Sequence, residues 1–214
     1  MKIVAVSDLH GTLPDVPPCD LLLIGGDVCP VQNHNLDYQA AWLDGEFRRW
    51  LTALAHVPKV IGVAGNHDFI FQQVPELVPR DLPWTYLQDS GTEYAGLTFW
   101  GSPWQPWFFD WAFNASADQL KAIWAKVPDR VDVLVLHGPP YGYGDGIPAS
   151  AGVRHAGCPH LLERIHQVRP ELVVFGHIHE GRGAWRVGNT TLANVTILDA
   201  EYRHVYEPWV YERH

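Results

Sequence analysis

Short runs of apolar residues recur along the chain and predict buried β-strands. The runs are rich in Val, Ile and Leu, and they end next to Gly, Asp, Asn or His. Strands that are buried on both faces have this continuous apolar pattern, whereas amphipathic helices repeat their apolar positions at a period of about 3.6 residues. The predicted strands are Lys2–Ser7, Leu21–Ile24, Val60–Ala64, Val131–Leu136 and Leu172–Phe175.

Amphipathic patterns between these runs predict three α-helices. Apolar residues share one face of the segment from Leu36 to Ala55, as in a helix that packs on a sheet. Ser116 and Gln119 form a capping-box pattern ahead of a second helix, which Pro128 ends. Pro159 suits the first turn of a third helix, which Pro170 ends.

The remaining segments predict β-structure. We expect the segment Trp84–Trp100 to be β, with a turn near Gly91. Further strands are predicted at Trp185–Val187, Thr190–Ile197 and Val205–Tyr211. Because alternating β and α elements are followed by mainly β-structure, we expect two packed sheets with helices outside. No repeat or linker divides the chain, so the prediction is a single domain over residues 1–214.

Composition limits the classes of function. The chain has 214 residues, 47% of them apolar, and a formal net charge of −9, so it lacks the basic surface that long nucleic acids require. No apolar run approaches the ~18 residues of a membrane span, and the N-terminal run is too short for a signal peptide. Three cysteines without C-x-x-C spacing argue against a disulfide framework or a thiolate zinc site. We therefore expect a cytoplasmic protein with no membrane partner.

Each of the five predicted strands leads to side chains that bind metals. At the carboxyl ends of strands in an open α/β sheet such side chains converge, and neighbouring glycines allow close approach of the backbone. Single aspartates or histidines at strand ends are usually turn formers or helix caps, but five strand ends together favour a site. Imidazole, carboxylate and amide ligands without thiolate suit Mn²⁺, Fe or Zn²⁺. These ligand candidates are Asp8, His10, Asp27, Asn66, His137, His177 and His179.

In these residues the chain resembles the calcineurin-like metallophosphoesterase superfamily. That family carries D-x-H, G-D, G-N-H-[DE], H and G-H-x-H in this order, and all five motifs occur between Asp8 and His179. The motifs W-G-S-P-W, H-G-P-P and F-G-H-I-H-E-G are similar to those of the metallophosphoesterase-domain-containing brain proteins and their microbial relatives. Some members of that subgroup lack the first histidine of G-H-x-H, which is His177 here.

The resemblance implies a four-layer α/β/β/α sandwich of two mixed sheets flanked by helices, and a site for two divalent metal ions. Manganese is the first candidate, with iron or zinc as alternatives. One ion would be held by Asp8, His10, Asp27 and His179. The other would be held by Asp27, Asn66, His137 and His177, so that Asp27 bridges the two ions.

The implied reaction is hydrolysis of a small phosphodiester, such as a cyclic nucleotide, by attack of a metal-bridging hydroxide. His67 would stabilise or protonate the leaving oxygen, and Asp68 would orient His67. Pro30 occupies the place of the second acid in the family's G-D-x-x-D motif. The arginine that protein serine/threonine phosphatases carry nearby is missing, which disfavours a phosphoprotein substrate.

Two other functions stay open at this point. One is a phosphomonoesterase acting on a nucleotide or small metabolite. The other is a non-catalytic binding scaffold on the same fold, which the complete ligand set disfavours. The oligomeric state is left open.

Substrate contacts are expected from two further segments. Trp104 and Trp107 belong to an aromatic stretch that either stacks a nucleobase or plugs the fold. Arg154 follows a glycine-rich segment and either clamps a phosphate or is an exposed loop residue. The histidines outside the family motifs, such as His34, have no predicted chemistry, although His155 is a candidate because it lies next to Arg154 in the sequence.

Overall fold

Two β-sheets form the centre of the molecule in a computed structural model that describes residues 1–150 and 152–213. The first sheet has the strand order β15-β1-β2-β3-β4. Its strands β1 to β4 are parallel, and β15 is antiparallel to β1. The strands are β1 (Lys2–Val6), β2 (Leu21–Gly25), β3 (Val60–Val63), β4 (Thr85–Tyr86) and β15 (Trp209–Glu212).

The second sheet has the order β13-β14-β12-β9-β6-β5. Parallel pairing joins β14, β12, β9 and β6, while β13 and β5 are antiparallel edge strands. Both sheets are therefore mixed, as predicted. The strands are β5 (Ser90–Tyr94), β6 (Leu97–Ser102), β9 (Val133–Leu136), β12 (Leu172–Phe175), β13 (Gly183–Val187) and β14 (Thr190–Asn194).

Four short strands form two small sheets outside this pair. The strands β7 (Gln105–Pro106) and β8 (Asn114–Ala115) pair with each other, as do β10 (Gly146–Ala149) and β11 (Gly152–His155). Helices are equally short, so no helix in the described part of the chain is long and apolar enough to cross a membrane. They are α1 (Leu36–Trp42), a π-helical segment (Leu43–Phe47), α2 (Arg48–Ala53), α3 (Phe69–Gln73), α4 (Ala117–Trp124) and α5 (Pro159–Val168).

Side chains of the central strands point alternately into the core between the two sheets and into the cores under the helices. In β1, Ile3 points into a core shared by the two sheets, whereas Val4 points to the core under α1 and α2. In β12, Val174 faces the shared core, and Phe175 packs with residues of α4 and α5. A strand buried on both faces needs apolar residues at every position, which explains the continuous apolar runs. The four-layer α/β/β/α sandwich is confirmed.

Several element boundaries differ from the sequence prediction; β9 and β14, for example, are shorter than predicted, and three further differences concern the first helix, the hairpin turn and the last strand. The segment Leu36–Ala53 is helical throughout, but it passes through a π-helical turn around Gly45. Gly91 lies inside β5, and the hairpin turn falls at Ala95 and Gly96, whose φ angles are 49° and 77°. The last strand begins at Trp209, so residues 205–208 are not part of it.

Candidate metal centre

The predicted ligands lie where strands of both sheets end. Asp8 and His10 follow β1, and Asp27 follows β2. Backbone hydrogen bonds join these loops, since Asp8 N donates to Gly26 O and His10 N donates to Asp27 O. The second sheet is attached at the same end, because Ser7 N donates to Val195 O. Ligands that are far apart in sequence are thus held on one continuous backbone network.

The loops that carry the ligands adopt unusual backbone conformations. Asp8, His10, Asp27 and His177 all have positive φ angles, between 44° and 69°. Non-glycine residues rarely adopt this left-handed region, and such residues cluster at functional sites where the surrounding structure holds them. The same loops are packed closely at Gly176, where a Cβ atom would overlap the carboxylate of Asp8. This overlap explains the glycine of the G-H-x-H motif.

One group of donors consists of Asp8, His10 and His179, whose donor atoms lie within 4.8 Å of one another. His179 Nε2 is 3.6 Å from Asp8 Oδ1. The other ring nitrogen of His179, Nδ1, donates to the carbonyl oxygen of Asp199 at 2.8 Å. This bond leaves the Nε2 lone pair free for a metal, an arrangement typical of metal-binding histidines.

A second group of donors surrounds the Asn66 side chain. Its Oδ1 atom lies 2.7 Å from His137 Nε2 and 2.7 Å from His177 Nδ1. His137 Nδ1 donates to the carbonyl oxygen of Gly25 at 2.9 Å, so the lone pair of Nε2 is directed towards the neighbouring oxygen donors, where a metal ion could bind.

Asp27 lies between the two groups. Its Oδ2 atom is 3.5 Å from His10 Nε2 and 3.4 Å from His137 Nε2. Its other oxygen, Oδ1, accepts a hydrogen bond from the backbone nitrogen of His67 at 2.7 Å. One carboxylate oxygen therefore faces a histidine of each group, which is the position that a bridging ligand requires.

The electrostatics of the centre fit divalent cations. Burial lowers the pKa of His10 well below its usual range and the pKa of His177 to about 3, so both rings are neutral. Burial, together with the nearby Asp68 and Asp8 carboxyl groups, raises the pKa of Asp27 well above its usual range. Buried carboxylates need a compensating cation. In addition, His10 Nδ1 is buried without a hydrogen-bond partner among the described residues. Imidazoles, carboxylates and one amide oxygen together form a donor set for two metal ions.

His67 lies beside the centre, and its contacts differ from those expected. Its Nδ1 atom is 3.1 Å from His34 Nε2, and its ring centroid is 4.1 Å from that of Trp111. Gln39, buried on α1, holds the same loop, since its amide donates to His67 O at 2.7 Å and accepts from Ile70 N at 3.0 Å. Sequence reasoning missed both His34 and Gln39. A buried polar residue on the apolar face of a helix was the available signal for Gln39.

The resemblance implied that Asp68 orients the His67 ring, but the Asp68 carboxylate makes other contacts. The hydrogen bonds of its carboxylate go to the backbone nitrogens of Val28, Cys29 and Gly65, at 2.8–3.0 Å. Asp68 thereby fastens the loop after β2 to the loop after β3. The ring contact expected from Asp68 is made by His34 instead.

The aromatic stretch divides into a structural part and an exposed part. Trp104 packs against the apolar cores, and its indole nitrogen donates to Asp89 Oδ2 at 3.2 Å. Trp104 is not among the described residues that line the cleft over the metal centre. Trp107 and Phe109 do line the cleft and are 65% and 69% exposed.

The cleft over the donor groups has a volume of about 570 Å³. Its floor includes His10, Asp27, Asn66, His67, His177 and His179. Trp107, Phe108, Phe109 and Trp111 form the side that is called the aromatic wall below. Arg154 and His155 of β11 also line the cleft, together with Tyr202 and Glu180. The predicted substrate residues Arg154 and Trp107 are thus brought to the site.

A comparison with protein families matches residues 1–181 to the family described as Calcineurin-like phosphoesterase. This chain belongs to that family. Its members are dinuclear metal-dependent phosphoesterases, so the chain is a metal-dependent phosphoesterase and the donor groups are candidate metal ligands of the expected kind. The resemblance drawn from the motifs is confirmed.

Individual relatives agree with the family assignment. The human protein "Metallophosphoesterase domain-containing protein 1" is 33% identical over 237 residues, which cover 98% of this chain and 70% of the human protein. The structure of TT1561 of Thermus thermophilus is similar with a TM-score of 0.56 and 18% identity, over 90% of this chain and 88% of that one. A putative 5'-nucleotidase from Staphylococcus aureus has a TM-score of 0.53 and 14% identity, over 90% and 48% of the two chains. The two solved structures show that the fold is shared.

Proposed function

We propose that this phosphoesterase hydrolyses a small phosphodiester whose organic group lies against the aromatic wall. The observation that carries this proposal is the shape of the cleft, in which a floor of metal donors meets a wall of exposed aromatic rings. The floor suits the phosphate, and the wall suits a planar or apolar ester group such as a nucleoside. A cyclic nucleotide is one substrate of this description.

The two metal ions are assigned to the two groups of donors. Asp8, His10 and His179 would hold one ion, and Asn66, His137 and His177 the other, with Asp27 shared. The nitrogen and oxygen donors favour manganese, with iron and zinc as alternatives. Bound ions would offset the negative charge of the phosphate and lower the pKa of a water molecule in the site.

His67 is proposed to stabilise or protonate the departing oxygen, and His34 to orient it. The bond to His34 occupies Nδ1 of His67, so Nε2 is the ring nitrogen available to a substrate in the cleft. A hydrogen bond to one nitrogen of a histidine ring determines the tautomer and the orientation of the ring. Packing of Trp111 against His67 restrains the ring further.

A diester is favoured over a monoester by the aromatic wall. Apart from the metal ions, Arg154 is the single lysine or arginine among the described residues that line the cleft. A diester phosphate carries one negative charge and a second organic group, which the aromatic wall can bind. A monoester phosphate carries up to two charges and presents one organic group only. Phosphomonoesterase activity is the alternative that the following experiment tests.

The test combines metal analysis with a matched pair of substrates. Protein purified without chelator should contain close to two metal ions per chain. It should hydrolyse bis(4-nitrophenyl) phosphate faster than 4-nitrophenyl phosphate, and Asp27→Asn should abolish both activities. A preference for the monoester would overturn the diester assignment. A protein that holds both metals and hydrolyses neither ester nor any cyclic nucleotide would instead be a binding scaffold.

The cytoplasmic location is part of the same proposal. Cys19, Cys29 and Cys158 are all buried free thiols, which suits a reducing compartment.

A further inference from the structure

The segment between β9 and α5 is built around one buried carboxylate. Asp145 is 1% exposed. Its Oδ2 atom accepts hydrogen bonds from Gly142 N at 2.9 Å and Gly157 N at 3.0 Å, and its carbonyl oxygen accepts one from Ala156 N at 2.9 Å. A Cβ atom at residue 157 would approach Asp145 Oδ2 to 2.8 Å, so glycine allows this packing. Asp145 thereby holds both ends of the β10–β11 hairpin.

The remaining oxygen of Asp145 is directed at a histidine of the cleft. Asp145 Oδ1 is 2.9 Å from His155 Nδ1. The carboxylate is buried, whereas 43% of the His155 side chain is exposed. Since Nδ1 donates to Asp145, the opposite nitrogen, Nε2, is left for a group in the cleft. A carboxylate behind an imidazole orients the ring and determines which nitrogen carries the proton. The ring of Tyr141, 4.9 Å away between centroids, supports the same face.

Arg154 adds a charge next to this histidine. It lines the cleft as His155 does, and it is exposed. The ion pairs found within residues 1–150 and 152–213 do not include Arg154. Four other arginines of the described residues are paired with carboxylates, for example Arg48 with Asp44 and Arg213 with Glu171, both within 2.8 Å. Among the described residues, Arg154 is therefore a cation of the cleft wall without a carboxylate partner.

We propose that Arg154 and His155, oriented by Asp145, form a second anion-binding site in the cleft, separate from the metal centre. Its ligand is a phosphate or carboxylate group that the substrate carries in addition to the phosphodiester that is cleaved. Arginine provides a planar pair of donors for such a group, and His155 Nε2 provides a third. The preferred substrates are then nucleotide diesters with an additional phosphate on the sugar. This inference rests on the proposed phosphodiesterase function.

Two pairs of substrates test the site, because each pair differs only in the additional phosphate. One pair is thymidine 5′-(4-nitrophenyl phosphate) with and without a 3′-phosphate. The other is adenosine 2′,3′-cyclic phosphate with and without a 5′-phosphate. For the metal-loaded protein we expect kcat/KM to be about tenfold to 100-fold higher for the phosphorylated member of at least one pair, the range of a charge-assisted contact.

Substitutions separate this site from the rest of the cleft. In Arg154→Ala the ratio of kcat/KM within the preferred pair should fall to near 1, and Arg154→Lys should recover part of it. His155→Gln should lower the ratio less than Arg154→Ala does. Arg130→Ala, at an exposed arginine that does not line the cleft, is the matched control and should keep the full ratio. The ratio is unaffected by changes in overall activity or stability.

The experiments distinguish a missing anion site from a missing phosphodiesterase activity. Hydrolysis without preference within either pair, or a preference that Arg154→Ala retains, would overturn the anion site while leaving the phosphodiesterase. If no diester is hydrolysed, the proposed function fails. Equilibrium binding of adenosine 3′,5′-bisphosphate then tests the anion-binding site on its own. Binding at least tenfold tighter to the wild-type protein than to Arg154→Ala would then support it, and equal binding would overturn it.

Discussion

Among single residues, Asp27 contacts both groups of candidate metal donors and the loop that carries His67. Its Oδ2 atom faces a histidine of each donor group, and its Oδ1 atom holds the backbone of His67. By contrast, the candidate metal groups among the described residues join His10 with Asp8 and His179 and with Asp27 and His67, but not with His137 or His177. Removal of the shared carboxylate should therefore affect both metal ions, whereas removal of an outer ligand should affect mainly one.

We predict that Asp27→Asn loses far more activity than His10→Ala. The amide keeps the shape of the side chain but removes the charge that both ions share. Metal content measured by mass spectrometry should fall towards zero in Asp27→Asn and towards one ion per chain in His10→Ala. Asp27→Asn with two bound ions and near-normal turnover would show that Asp27 is not the bridging ligand.

His34 provides a second prediction for a single residue. His67→Ala should lower kcat by about 10²–10⁴-fold on a diester with an alkoxide leaving group, such as a cyclic nucleotide. His34→Ala should produce a smaller loss, about tenfold to 100-fold, because His67 is still present but no longer held. In both variants the loss should shrink on a nitrophenyl ester, whose leaving group needs no proton.

The controls for His34 distinguish orientation from stability. His34→Gln, which keeps a polar group in reach of His67 Nδ1, should recover part of the activity. His56→Ala, at an exposed histidine bonded to the carbonyl oxygen of Val16, tests for a general effect of removing an imidazole ring. Equal losses for His34→Ala on both leaving groups, or loss of metal, would contradict the orienting role.

At the scale of elements, local signals predicted several boundaries correctly. The capping box is present, with Gln119 N donating to Ser116 Oγ and Ser116 N donating to Gln119 Oε1. Helix α5 begins at Pro159 and is followed by Arg169 in the left-handed conformation. The predicted position of the hairpin turn near Gly91 is wrong, because Gly91 has an ordinary strand conformation and lies opposite Trp100. Its missing Cβ leaves room for the carbonyl oxygen of Phe99.

The aromatic stretch yields a prediction that compares two tryptophans of one segment. Trp107→Ala should raise KM for a nucleotide diester by about tenfold and leave KM for methyl 4-nitrophenyl phosphate nearly unchanged, since stacking on a base contributes about 1–3 kcal/mol. Trp104→Ala should instead lower the melting temperature, because Trp104 packs on the cores and bonds Asp89. Similar KM changes for large and small esters in Trp107→Ala would assign the exposed rings a purely structural role.

For the whole molecule, the central question is whether both sheets unfold together. The last strand, β15, pairs with the first, and Arg213 donates to Glu171 at 2.8 Å, so the ends of the chain are tied into the sheets. The core between the sheets contains Ile3 of one sheet and Val174 of the other. We infer from this shared core that the chain forms one domain.

We predict that Ile3→Ala lowers the free energy of unfolding by about 2–5 kcal/mol, the usual cost of emptying a buried aliphatic site. Ile3 is 1% exposed, whereas Val210 on the same sheet is 42% exposed. Val210→Ala, the matched control, should change the free energy by less than about 0.5 kcal/mol. Unfolding in denaturant, followed by circular dichroism and by tryptophan fluorescence, should show one coincident transition in all three proteins. Two separate transitions would contradict the single domain.

The residue pattern predicted the layers and the set of candidate donor residues. Short apolar runs rich in Val, Ile and Leu are typical of strands that are covered on both faces, and the motifs at their ends carry distinctive residue types. Contacts between segments far apart in the chain follow only from the tertiary structure. That His34 rather than Asp68 meets the His67 ring, that Trp104 is packed while Trp107 is exposed, and that Asp145 supports His155 all depend on how loops fold over the sheet ends. The periodicity and spacing of residues in the sequence do not predict such contacts, because the conformation of a loop is determined by the packing of neighbouring segments.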